Sequence, residues 1–175
     1  MQEQTQVRSR LQAEQWFLTE LHLGGFFNEH VLAALRRHQR AEHLIILVSG
    51  SFRACLAPIA RRVAADLVIC SEPDIISGVY TGRIHQPMVG DAKANAVHDL
   101  ATLHRIHLPS STAYGDHPSD LPLLHMAGHA TIVGSDPVMQ DWVHRRRWRL
   151  LPDAPPAPPL LLPSSPLKLS RGWSC

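Results

Sequence analysis

Apolar positions along the chain fall into alternating groups of helical spacing and of strand length. Leu11, Trp16, Phe17, Leu21 and Leu23 recur among polar residues and predict a helix within 11–27 that Gly24-Gly25 ends, with Phe26-Phe27 as an apolar join. Asn28 is placed to cap a second helix bearing Val31, Leu32 and Leu35 on one side and Arg36, Arg37 and Arg40 elsewhere. The first 40 residues hold no run that reads as a buried strand. The run LIILV at 44–48 does, being continuous and apolar as parallel strands covered on both faces are. It runs straight into Ser49-Gly50-Ser51, where the strand ends, and a helix follows with Phe52, Leu56, Ile59 and Val63 on one face. A short strand is expected at 67–70, followed by a hairpin with arms 74–76 and 79–84 about the turn Ser77-Gly78. A loop at 89–91 precedes a helix from Ala92 with Val97, Leu100 and Leu103. Further strands are predicted at 112–114 and 130–133, and Asp136-Pro137 opens a helix through Trp142. Strands alternating with helices define an α/β, Rossmann-like fold with a parallel sheet.

After Leu151 the pattern ends. Residues 152–175 are rich in Pro, Ser and Leu without a period, which predicts a disordered tail with polyproline-like stretches; a PxxP docking site is the alternative. At 175 residues and 45% hydrophobic, the chain has enough material for one core, and a net charge of +2 argues against a nucleic-acid stripe. Cys55, Cys70 and Cys175 are too few and too far apart for a disulfide framework or a zinc knuckle. No apolar run approaches the roughly 20 residues that span a bilayer, and the first ten residues lack the apolar core of a signal peptide. These features predict a cytoplasmic protein without a membrane partner.

Three segments carry candidate chemistry. The first is Ser49-Gly50-Ser51, a hydroxyl and a pliant backbone at a strand tip. The second is Lys93 in the first turn of a helix, where the dipole disfavours a cation, so that an anion partner is implied. The third is 111–124, STAYGDHPSDLPLL, with Asp116 at a strand tip and Asp120 in the helical turn beyond it. Strand tips of parallel sheets are where ligands bind, and one or two carboxylates there suit Mg²⁺. Each segment alone has a plainer reading: a capping turn, a solvated surface charge, an aspartate helix cap. Together they are the parts that surround a phosphate, with hydroxyl and backbone N–H groups donating to its oxygens.

In order and wording, these segments resemble the haloacid dehalogenase superfamily of phosphatases, in particular its phosphoserine-phosphatase-like branch, over about residues 26–151. LIILVSGS resembles the second motif of that family, with Ser49 as hydroxyl donor and Gly50 beside it. GDAKANAV resembles the third, with Lys93 on the phosphate. YGDHPSDLPLL resembles the fourth, with Asp116 as Mg²⁺ ligand and Asp120 as a carboxylate orienting the metal site. SGVYTGRI resembles the hairpin signature of the branch. The resemblance implies a Mg²⁺-dependent phosphomonoester phosphatase acting on a small phosphorylated metabolite, with Ser49 and Lys93 as catalytic residues. It also implies a remnant helical cap at 1–40 before a core at 41–151.

One departure matters. In that family a first, central strand ends in Asp-Xaa-Asp and supplies the nucleophile and the general acid/base. This sequence has no Asp-Xaa-Asp, and its first aspartate is Asp66. No nucleophile is found, so the expectation is a truncated, mis-started or degenerate relative with impaired activity. The alternative is a non-catalytic phosphate-binding or interaction domain derived from the fold. A missing central strand leaves its neighbours with open backbone edges.

Other residues suggest weaker readings. Twelve histidines include the pairs His104/His107 and His125/His129, but nothing beside them completes a zinc set. His117 is read as lining the site next to Asp116. Arg145, Arg146, Arg147 and Arg149 with Trp148 suit nucleic-acid phosphates and a stacked base, although a basic helix end followed by an edge strand accounts for them more simply.

Overall fold

The computed structural model describes residues 2–153, with side chains from Arg8 onward. The predicted tail lies, from residue 154, outside the described residues. Two helices come first, α1 (Gln2–Leu23) and α2 (Glu29–Arg40). Asn28 caps α2 as its sequence position implies, Oδ1 accepting the N–H groups of His30 and Val31 at 2.9 and 3.2 Å. Next come β1 (Ile46–Phe52), α3 (Arg53–Arg62), β2 (Leu67–Ile76), β3 (Val79–Gln86) and α4 (Asp91–His104). The chain continues through β4 (Thr112–Gly115), a 3-10 turn at Pro118–Asp120, α5 (Leu121–Met126), β5 (His129–Val133), α6 (Pro137–Arg146) and β6 (Arg149–Leu151). Asp136 caps α6 by accepting the Met139 N–H at 3.0 Å. No helix among the described residues is long and apolar enough to cross a membrane.

The fold is α/β, and its strands form two three-stranded sheets, β1-β2-β3 and β4-β5-β6. β1 runs parallel to β2, and β4, β5 and β6 are mutually parallel. The antiparallel β2–β3 hairpin turns through Ser77 and Gly78 at φ of 49° and 77°, the left-handed pair that a two-residue hairpin loop demands.

Two strand expectations are corrected. β1 begins at Ile46 and runs through Ser49-Gly50-Ser51 to Phe52, which the helical spacing assigns to the next helix, with a register shift against β2 between Ser49 and Phe52 that three small residues accommodate. The segments 67–70 and 74–76 are one ten-residue strand, parallel to β1 at first and antiparallel to β3 beyond. Pro73 sits within it where the β2–β3 register is irregular, which spares the ladder the loss of an N–H.

Burial follows the pairing. β5, with a neighbour on each side, buries Ala130, Thr131 and Ile132. Ile132 joins Leu124 and Met139, all fully enclosed, with Trp142 and Trp148 packed against them. Burying side chains of this size stabilises by about 1.5–3 kcal/mol each. By contrast Ile46, Leu47 and Val48 of β1 are only half-buried. The N-terminal helices attach through Phe17, which is 4% exposed and meets Phe26 and Phe27 edge-on, and through the Glu14–Arg61 ion pair between α1 and α3.

The basic cluster has a structural account. Trp148 is no free stacking platform: it lies nearly parallel to Trp142 (23°, centroids 6.0 Å apart), and both rings meet His125. Arg146 lies over Trp142, and Arg145 pairs with Asp141 at 2.7 Å. A basic helix end and the edge strand β6 follow one another.

Candidate functional site

The site is built on the first turn of α4 and the tips of β1 and β4. Ser71, 1% exposed at mid-β2, donates to the carbonyl of Gly50 at 2.7 Å and accepts the N–H of Met88 at 2.9 Å. One hydroxyl thereby ties the tip of β1 to the loop that opens α4. Lys93 follows in the first turn of α4, its N–H bonded to the Gly90 carbonyl at 3.0 Å. Sequence reasoning missed Ser71; the signal available was a lone hydroxyl directly after the apolar run 67–70.

Lys93 does not stand alone. Its ammonium lies 2.5 Å from Oδ1 of Asp120, and the two side chains are only 12% and 8% exposed. Oδ2 of Asp120 also accepts the His117 N–H at 3.4 Å. The approach needs Gly115: a Cβ there would sit 2.7 Å from that of Asp120. Asp116, next in the chain, is exposed at the tip of β4. His117 turns its ring to the 3-10 turn instead of the site, Nδ1 accepting the Ser119 N–H at 3.1 Å.

Of the sequence-derived residues, Lys93 and Asp120 meet directly, Asp116 adjoins Gly115, and Gly50 joins the α4 loop through Ser71. Ser49 is half-buried, and its Oγ accepts the Ser51 N–H at 3.1 Å; no hydrogen bond links it to Lys93 or Asp116 among the described residues. A cleft of about 450 Å³ flanks Asp116 on the α1–α2 side, walled by Phe26, Phe27 and Asn28 and by Gly134, Ser135 and Asp136. Among the described residues no group of three or more His, Cys, Asp or Glu side chains is arranged to hold a metal ion. Asp120 is engaged by Lys93, which leaves Asp116 as the exposed carboxylate, within the one or two that Mg²⁺ uses alongside water and phosphate oxygens.

Behind the site α2 locks onto β4. His38 Nε2 and the Tyr114 hydroxyl are 2.8 Å apart, and His38 Nδ1 meets Nδ1 of His43 at 2.9 Å. Burial, reinforced by His43 and Arg37, lowers the His38 pKa below its ordinary value, and burial raises that of Tyr114.

A parallel α/β core with a lysine–aspartate pair at its strand tips defines a class, and comparison with known proteins identifies it. The family model for haloacid dehalogenase-like hydrolases matches residues 5–125, and the chain belongs to that family. It resembles a "Probable phosphatase" of Mycobacterium tuberculosis, 31% identical over 114 residues, which is 65% of this chain and 40% of that one. A phosphoserine phosphatase of the same organism is 32% identical over 96 residues, 54% of this chain and 24% of that one. The chain thus spans two fifths or less of the length of these curated relatives. Among solved structures, a Bordetella pertussis protein of unknown function superposes with a TM-score of 0.63 at 27% identity, over 69% of this chain and 56% of that one. A substrate-bound phosphoserine phosphatase shares the fold, with a TM-score of 0.54 at 19% identity, over 63% of this chain and 53% of that one. The chain is thus a hydrolase-family protein, and its similarity extends to phosphoserine phosphatases.

Proposed function

We propose that this chain recognises small phosphomonoesters in a Mg²⁺-dependent manner at the tips of β1 and β4, as a phosphatase of the phosphoserine-phosphatase-like type. The observation that carries the reading is the Lys93–Asp120 pair, a cation held at the head of α4 beside two strand tips. A helix N-terminus favours an anion, and Lys93 adds a full charge to it. Ser49 Oγ accepts from Ser51, which leaves its own proton to donate to a phosphate oxygen. Lys93 offsets the phosphate charge while Asp120 fixes its position. Asp116 is the residue that would hold Mg²⁺, which when bound supplies charge neutralisation at the phosphate.

The 175 residues contain no Asp-Xaa-Asp, and this favours a second reading, a phosphate-binding domain that turns over slowly or not at all. One experiment separates the two. Phosphate release from a panel of small phosphomonoesters is measured with and without Mg²⁺, beside calorimetric binding of inorganic phosphate and an Asp116→Ala control. Mg²⁺-dependent turnover lost in the control establishes the enzyme. Mg²⁺-dependent phosphate binding without turnover establishes the binding domain. Folded protein that does neither overturns both.

A further inference from the structure

Between α2 and the C-terminal end of α3 lies a cavity of about 160 Å³ that phosphate recognition does not use. Leu32, Leu35, Arg36 and Gln39 line it from α2, at steps of three, one and three, which is a single helical stripe. Arg36 therefore continues the apolar stripe that faces α3. Arg62 and Val63 close the cavity from the end of α3, and Phe27 closes it from the segment before α2. Gln39 holds the two helices at this spacing, its Nε2 donating to the Val63 carbonyl at 2.8 Å. Phe27, Leu32, Leu35 and Val63 are each half-buried, as apolar side chains that face a cavity are.

The charge of this cavity is one-sided. Arg36 and Arg62 both line it, no Asp or Glu does, and among the described residues neither arginine pairs with a carboxylate. Arg61, the neighbour of Arg62, does pair, with Glu14 of α1. Arg62 has a second reason for its place, since the last turn of a helix favours a cation. Arg36 has none, because it precedes the last turn of α2. A guanidinium stays charged throughout the working pH range, so two of them at one mouth repel each other until an anion lies between them.

We propose that this cavity binds one small monocarboxylate with an apolar, ring-sized body, its carboxylate held by Arg36 and Arg62. Arginine presents a planar fork of donors that matches a carboxylate through two parallel hydrogen bonds. The body follows from the volume, because an apolar cavity of about 150 Å³ accommodates a benzene ring. The Phe, Leu and Val walls would strip water from the hydroxyls of a sugar phosphate without replacing it. Inorganic phosphate carries the charge but leaves those walls uncovered. Neither arginine serves phosphate recognition, so the site stands whether or not the chain releases phosphate.

The test is fluorine NMR on the full chain, with para-fluorophenylacetate as the probe. Its resonance should shift and broaden saturably, at one probe per chain. The corresponding amide, the same ring without the charge, should bind about tenfold more weakly or less, since a hydrogen bond to a charged group is lost. The acid should lose as much on Arg36→Gln and on Arg62→Gln. Both side chains are exposed, so each variant should fold, with a circular dichroism spectrum matching the parent. Inorganic phosphate at the concentration of the probe should not displace it. Four results overturn the proposal: no saturable binding, equal binding of acid and amide, undiminished binding to either folded variant, or displacement by phosphate. The last would place the probe at the strand tips instead.

Discussion

Asp120→Ala removes the carboxylate that lies 2.5 Å from the Lys93 ammonium and leaves that charge on a side chain only 12% exposed. Breaking a buried ion pair from one side costs about 3–5 kcal/mol, because the surviving charge has lost both water and partner. Lysine can carry its head some way towards solvent along a flexible stem, so the lower end, about 3 kcal/mol, is the expected loss. For a chain of this size that is a fall in Tm of about 6–12 °C, at about 2–4 °C per kcal/mol. Lys93→Met in the Asp120→Ala background should restore most of the loss, since a pair replaced by uncharged groups leaves no stranded charge. The assay is urea denaturation followed by circular dichroism on the parent, both single variants and the double, closed as a mutant cycle. An Asp120→Ala loss below about 1 kcal/mol would be that of a surface pair and would refute the reasoning. So would a double variant as unstable as the sum of the singles.

Gly115→Ala places a methyl 2.7 Å from the Asp120 Cβ and should cost about 1–3 kcal/mol by overpacking, read in the same denaturation experiment; a neutral result would show the turn to be slack. His38 and His125 are both held below their ordinary value of 6.5 by burial, helped by His43 and Arg37 in one case and Arg146 in the other. The fold favours their neutral forms, so the unfolded chain takes up protons first as pH falls. Their contribution to stability is complete above pH 6.5 and is lost as the pH drops through the lowered folded values. Tm should fall below pH 6.5 and fall less in His125→Phe; an unchanged or rising Tm there contradicts the assignment.

The order of elements was legible because each depends on local chemistry: Asn28 and Asp136 mark helix starts, and the 44–48 and 130–133 runs mark strands. Burial was not, because it depends on neighbours. The apolar run of β1 promises a strand covered on both faces, yet its residues are half-buried beside an open edge, whereas β5 realises the promise. Ser49-Gly50-Ser51 carries turn residues but meets β2, and the ladder holds it extended with a bulge. The lysine and the aspartates could be picked out by motif, while the direct pairing of Lys93 with Asp120 is a three-dimensional fact between positions 27 apart. Ser71 makes the same point: its two bonds join segments 21 and 17 residues away, beyond any periodicity.

The paired indoles of Trp142 and Trp148 make one side of the molecule optically distinct. Rings 6.0 Å apart and only 23° from parallel couple their electronic transitions, and the near-ultraviolet ellipticity of such a couple vanishes when the rings separate. His125 touches both, so its charge state also modulates their emission. Trp16, by contrast, lies on α1 against Phe26. The β4–β6 sheet thus carries its own chromophore, through which its assembly can be watched in real time with no label attached.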